Sequence, residues 1–231
     1  MGLTKPTADA RIISTGVDNA LCGGGGDGFT FACWAMFNVA YATSATLFFN
    51  RATGVRGVWV RFLSATSFGM TYINSASGNQ SPGHLNTIVN GECGFWLVGV
   101  DTSGNTAIRT DASETTSSTG NLKVTGNVAA TSLLASAAGA NPTRAKIVGA
   151  MVWNRLLTAA ERQTLYASGG TVIPTAGLVS NLPLFDAPPG VDTGTTVPVD
   201  VANPDRVWAT SGVGDEYTWQ SADHPTRRRH Q

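Results

Sequence analysis

A chain of 231 residues, 42% hydrophobic and only 13% charged, has apolar material for one large β domain with an appendage, or for two small domains. Typical globular chains are about 25% charged, so Ser, Thr, Asn and Gly must cover this surface, which suits a protein that buries much of itself against partners. The formal net charge is zero, which disfavours a general nucleic-acid binder, because neutralising phosphates takes a basic excess.

The start, MGLTKPTADAR, has no apolar segment of the secretory type. Pro6 stands where a myristoylation signal would need Ser or Thr. No apolar run approaches transmembrane length. The expectation is a soluble protein made in a cytosol, with no membrane partner. Cys22, Cys33 and Cys93 have no C-x-x-C spacing, so neither a disulfide framework nor a zinc site follows. CGGGGDG at 22–28 lacks the Gly-Lys-(Ser/Thr) of a phosphate loop and precedes a strand, so it reads as a sheet connection.

Residues 29–37, FTFACWAMF, are apolar on both alternating faces. Phe29, Phe31, Cys33 and Phe37 share one side; Ala32, Trp34 and Met36 share the other. That predicts a central strand covered on both faces. Further strands are predicted at 45–50, 57–63, 69–73, 85–90, 94–100, 105–110, 121–125 and 145–153. Turns are predicted at 52–54, 75–83, 101–105 and 112–120. Many short strands with such turns indicate two antiparallel sheets packed as a sandwich or jelly roll.

The single clear helix is specified locally. Thr158 and Glu161 are spaced as a capping box, and Gly169-Gly170 ends the segment. Leu157, Leu165 and Tyr166 can pin it to the sandwich. Past residue 174 the chain turns rich in Pro and Gly, with a returning strand expected within 171–185. Residues 184–231 read as an extended C-terminal arm beyond a sandwich domain of 1–183. The arm keeps Trp208, Tyr217 and Trp219, large groups for a plain linker. Residues 183–226 carry seven acids and one base, Arg206, and Arg227, Arg228 and Arg229 follow. A solvated tail and a docking arm both fit that charge pattern.

The segment GAMVWNRLLTAAERQTLYASGG, through Val152, Trp153, Asn154, Arg155, Leu157, Thr158, Glu161, Leu165, Tyr166 and Gly169, resembles the closing signature of laminin-G-like, concanavalin A-like lectin/glucanase domains. TGVDNAL at 15–21, GDGFTFACWAMF at 26–37 and GFWLVGVDTSGNTAIRTDA at 94–112 resemble earlier family motifs in the same order. The resemblance spans roughly residues 8–170 and implies a two-sheet jelly roll, with no single activity attached. The acidic residue usual before the final strand is absent, and TDASE replaces the common Val-Asp-Gly after the hairpin. Both departures count against inherited ligand or calcium sites.

Catalytic residues are not predicted. A glycosidase needs two carboxylates flanking the bond, and the glucanase pattern Glu-x-Asp-x-x-Glu is absent. Asp215 and Glu216 are adjacent, so strand alternation would point them apart. His84, His224 and His230 lack metal-ligand spacing. Asp18, Asn19 and Asp27 read as turn residues rather than a calcium set. Trp34, Trp59, Trp96 and Trp153 fall on strands and are assigned to the core. No metal or other cofactor is expected.

The function these features imply is a non-enzymatic bacteriophage virion protein, a capsid decoration or cement subunit made in the host cytoplasm. Its arm would dock on a protein lattice and on copies of itself, with Trp208, Tyr217, Trp219, Arg227, Arg228 and Arg229 as anchors. The alternative is a carbohydrate-binding module of a tail, fibre or surface protein, with a glycan as partner. Exposed aromatics on a sheet face or loop rim would favour that alternative.

Overall fold

The structure, a computed structural model, describes residues 2–4, 11–14, 27–37, 45–52, 54–64, 66–85, 93–111, 113–128, 131–134, 145–182, 200–204, 208–211 and 218–220. In chain order the strands are β1 (Gly2–Thr4), β2 (Arg11–Ser14), β3 (Gly28–Phe37), β4 (Thr46–Ala52), β5 (Arg56–Ser64), β6 (Ser67–Ile73), β7 (Asn79–Gln80) and β8 (Gly83–Leu85). Then come β9 (Cys93–Asp101), β10 (Asn105–Thr110), β11 (Ser113–Ser118), β12 (Ser132–Leu133) and β13 (Ala145–Trp153). The helix α1 (Ala159–Ala167) follows, then β14 (Leu178–Leu182), β15 (Trp208–Ser211) and β16 (Thr218–Gln220).

These strands form two antiparallel sheets, an all-β sandwich with one helix. The first sheet runs β11-β10-β9-β3-β13-β1-β16, with β14 also on β13. The second runs β15-β2-β12-β4-β5-β6-β7, with β8 also on β6. Among the described residues no helix is long and apolar enough to cross a membrane.

The alternation of β3 decides the layering. Phe29, Phe31 and Cys33 enter the core between the sheets, where they join Phe48, Val58, Val60, Met70 and Tyr72. The ring of Phe48 sits 5.4 Å from Phe29 and 5.1 Å from Phe31. Ala32 and Trp34 point the other way, into a second cluster with Phe95, Leu97, Met151, Trp153, Leu157 and Leu165. So β3 is buried on both faces, as expected, and α1 covers the outside of the first sheet there. Burial of each large apolar side chain contributes roughly 1.5–3 kcal/mol, so Trp34 and Trp153 hold α1 more firmly than its own nine residues could.

Local chemistry fixes the helix as its sequence predicts. The Thr158 backbone N–H donates to the Glu161 carboxylate at 2.9 Å, and the Glu161 N–H donates to the Thr158 hydroxyl at 3.3 Å. Arg155 forks onto the same carboxylate at 2.8 and 2.7 Å. Thr30 ties this corner to β3: its hydroxyl donates to the Arg155 carbonyl at 2.7 Å and accepts from the Leu157 N–H at 3.1 Å. Gly170 closes the helix at φ +86°, and a Cβ there would lie 2.8 Å from the Trp34 ring.

Of the predicted strand 85–90, residues 86–90 lie outside the described residues, and the predicted turn 75–83 contains β7 and the start of β8. Two further predicted elements differ. Residues 121–125 form no strand; Leu122 makes a single bridge to Asn74. Residues 112–120, read as a turn, contain β11. It is an edge strand of Ser, Thr and Glu, mostly exposed, so no apolar alternation marks it. Its backbone pairs along the whole of β10, from Asn105–Ser118 to Thr110–Ser113.

The segment read as an arm returns to the domain where it is described. Ser180 and the backbone N–H groups of Asn181, Ala202 and Asn203 donate to buried Asp200. Trp208 begins β15, which pairs with β2 at the edge of the second sheet. Trp219 lies in β16, opposite Leu3 of β1 at the edge of the first. Tyr217, Arg227, Arg228 and Arg229 lie outside the described residues. Backbone pairing therefore crosses the expected boundary at 183/184.

Truncation after Leu184 removes the outer partner of both β1 and β2. We expect the shortened chain to melt about 5 °C or more below the full chain and to aggregate through its bared edges. An unchanged melting curve would show that these pairings add nothing.

Glu161 offers a second test. The hydrogen bonds from Arg155, with smaller help from Thr158, hold its carboxyl down at about 2 against the opposing effect of burial. A depressed carboxyl stabilises the fold above the ordinary glutamate range, about 4.3. That share is lost as pH falls from there towards about 2. Urea melts should show Glu161→Gln less stable than the parent at pH 7, with the gap closing by pH 2–3.

Candidate functional site

On the outer face of the second sheet several large side chains are partly exposed. Apart from a register shift at Thr46/Phe48 in β4 and another at Phe62/Ser64 in β5, the central strands of this sheet alternate. Phe48, Val58, Val60, Met70 and Tyr72 face the core, so Phe49, Trp59, Arg61 and Thr71 face outward. Register lines Phe49, Trp59 and Thr71 up across β4, β5 and β6. Phe49, Trp59, Arg51 and Arg61 are all partly exposed.

The side chains on this face hold one another in place. Phe49 and Trp59 meet edge to face, centroids 5.9 Å apart. The indole N–H of Trp59 donates to the buried Thr46 hydroxyl at 2.9 Å. The Arg61 guanidinium lies over the indole, 4.0 Å from the ring centroid, and donates to the Thr71 hydroxyl at 3.0 Å. That hydroxyl is also bonded to the exposed Ser81 hydroxyl at 3.0 Å. Arg51 lies opposite Gly57 in register. With no side chain at that position, Arg51 crosses β5 and β6 to donate to the exposed Asn79 carbonyl oxygen on β7 at 2.7 Å. The Arg51 Nε is buried and has no hydrogen-bond partner among the described residues. Partial burial pushes both guanidiniums below their ordinary range, and for Arg61 the nearby charge of Arg51 adds to the effect.

The result is an aromatic and guanidinium surface, its two rings edge to face, beside the exposed Ser81 hydroxyl and Asn79 amide. Such a surface can take the C–H face of a ring and bond to the hydroxyls around it. Trp34, Trp96 and Trp153 are buried, as assigned from sequence. Trp59 is not: it stands on the outward face, and its assignment to the core is corrected. Alternation along a strand separates its two faces but does not say which face another layer covers. One signal could have pointed here. Residues 28–91 contain no Asp or Glu, yet carry Arg51, Arg56 and Arg61.

Carboxylates elsewhere are engaged in structure. Asp101 takes the Asn105 backbone N–H at 2.8 Å, and Asp111 takes that of Phe95 at 2.8 Å. Glu114 binds buried Arg162 of α1 and lies 3.7 Å from Arg109. Among the described residues no group of three or more His, Cys, Asp and Glu could hold a metal ion. Asp18, Asn19, Asp215, Glu216, His224 and His230 lie outside those residues. His84 meets the Thr115 hydroxyl across the two sheets.

Several solved structures share this fold. A candidate carbohydrate-binding protein from Bacteroides ovatus ATCC 8483 overlays with a TM-score of 0.64 at 14% identity, over 96% of this chain and 60% of that one. The likeness is one of fold. The binding domain of botulinum neurotoxin DC matches as well, at 12% identity. Its TM-scores are 0.55 in complex with rat synaptotagmin II and 0.54 in complex with SialylT. Each neurotoxin overlay covers 72% of this chain and 42% of that one. The chain thus spans well under two thirds of these proteins. No family model and no curated protein matches the sequence.

The strain at Gly57 gives a direct test of this geometry. Its φ is +118°, and a Cβ would fall 1.9 Å from the Asn50 carbonyl. Gly57→Ser should lower stability by roughly 1–3 kcal/mol in urea melts. A neutral result would mean that the β4–β5 pairing is looser than described.

Proposed function

We propose that this chain is a carbohydrate-binding module and that the outer face of its second sheet is the glycan platform. The observation that carries this is Trp59. It is a partly exposed indole on the outer face of the second sheet, whereas Trp34, Trp96 and Trp153 of the first sheet are buried, and it is set among Thr71, Ser81, Asn79 and a stacked guanidinium. A pyranose has one apolar C–H face and a rim of hydroxyls. Trp59 and Phe49 match the first, and Ser81 and Asn79 reach the second. The fold shared with carbohydrate-binding and receptor-binding domains supports the same reading. Among the described residues no carboxylate pair stands on this face, and the reading we propose is one of binding without turnover. In a phage particle such a module belongs on a tail or fibre that meets host glycans; lattice docking in a capsid has no observation of its own on this surface.

The test is a glycan array probed with the parent and with Trp59→Ala. We expect a discrete set of glycans retained by the parent, and at least about tenfold weaker binding by the variant at unchanged circular dichroism, as loss of a central aromatic contact requires. No retained glycan, or binding indifferent to Trp59, would overturn the proposal.

A further inference from the structure

The charge on this face narrows the ligand. We infer that the saccharide taken by the second sheet is anionic, with Arg51 and Arg61 forming a two-guanidinium seat for a carboxylate or sulfate carried on the sugar. The inference rests on the glycan-binding reading above and deepens it.

Three observations carry it. First, two guanidiniums lie on one face, where Arg51 donates to the Asn79 amide oxygen and Arg61 donates to the Thr71 hydroxyl. Bringing like charges together on a partly buried surface is unfavourable, and the charge of Arg51 is felt at Arg61. A bound anion reverses that cost, because the same low-dielectric setting strengthens attraction. Second, the chain segment that builds the middle of this sheet, residues 46–85, has no Asp or Glu at all. Strands β4 to β8 thus bring cations and no carboxylate to this sheet, although the whole chain is neutral. Third, both arginines are partly exposed, and guanidinium donors match the paired oxygens of carboxylate and sulfate.

Other occupants fit less well. A second copy docked face to face would set arginines against arginines. A long nucleic acid needs a basic stripe to neutralise successive phosphates, whereas this outer face offers two cations beside a ring-sized aromatic surface.

The experiment uses the full chain and four probes in titration calorimetry. They are oligogalacturonate, its fully methyl-esterified form, sulfated dextran oligosaccharide and plain dextran oligosaccharide. Polyphosphate serves as competitor. We expect the parent to bind at least one charged probe about tenfold or more tighter than its neutral counterpart, and to lose most of that margin between 0.05 and 0.5 M NaCl, about where screening closes within a few ångströms. The two charged probes separate a carboxylate ligand from a sulfate ligand. In Arg51→Gln and Arg61→Gln the charged-to-neutral ratio should fall to about two or less. Neutral probes bound as tightly as charged ones, or a ratio that survives both substitutions, would overturn the inference while leaving glycan binding in place. Polyphosphate displacing the sugar at equal charge concentration would overturn it in favour of a polyanion site. Failure of every saccharide, together with the array, would remove both proposals.

Discussion

Double-sided burial of β3 is the constraint from which the rest follows. Strand β3 has no polar face to offer water. Phe29, Phe31 and Cys33 fill the core on one side, and Ala32 and Trp34 need cover on the other. The segment after β13 supplies that cover, and little freedom is left in how it does so. Thr30 bonds the turn at Arg155 and Leu157, the Trp153 indole donates to the Pro174 carbonyl at 2.7 Å, and Gly170 passes close against Trp34. The residues that resemble a family signature are thus a clamp. They describe how a sandwich is sealed and say nothing by themselves about a ligand.

The proposed platform lies on the other sheet. The sparse charge of the chain divides along the same line. Glu114 and Glu161 are used to fasten α1, through Arg162 and Arg155. Arg109 stacks on Tyr166 of the helix, 4.4 Å from its ring centroid, and donates to Gln163 at 2.7 Å. On the second sheet the cations have no carboxylate in their own strands. A surface of low charge density can still carry a defined local field when its few acids are placed elsewhere.

The ends of the chain depend on each other. Strands β1 and β2 are short and lie in different sheets, and each is flanked by a strand from the last quarter of the sequence, β16 and β15. Ordering a Pro- and Gly-rich stretch costs roughly 1–2 kcal/mol per residue. Ladder pairing and the buried Asp200 cap, which takes three backbone N–H groups, are where that cost is offset within the chain.

The helix was readable from its residues because its determinants lie within a few positions: Thr158 and Glu161 are three apart, and Gly169 and Gly170 follow directly. The strands with apolar alternation were readable for the same reason, since side-chain direction repeats every two residues. Strand β11 was not, because an edge strand with a solvated face needs no apolar residues and is held by the backbone of β10. Nor was the course of residues 208–220, whose partners are about two hundred positions away. The functional surface falls on the same side of this divide. Trp34 and Trp59 look alike in sequence, each on a strand with alternating neighbours. One is buried and the other open because a helix encoded more than a hundred residues after Trp34 docks on the first sheet and not the second. Alternation assigns a side chain to a face; only long-range packing decides whether that face meets a second layer or water.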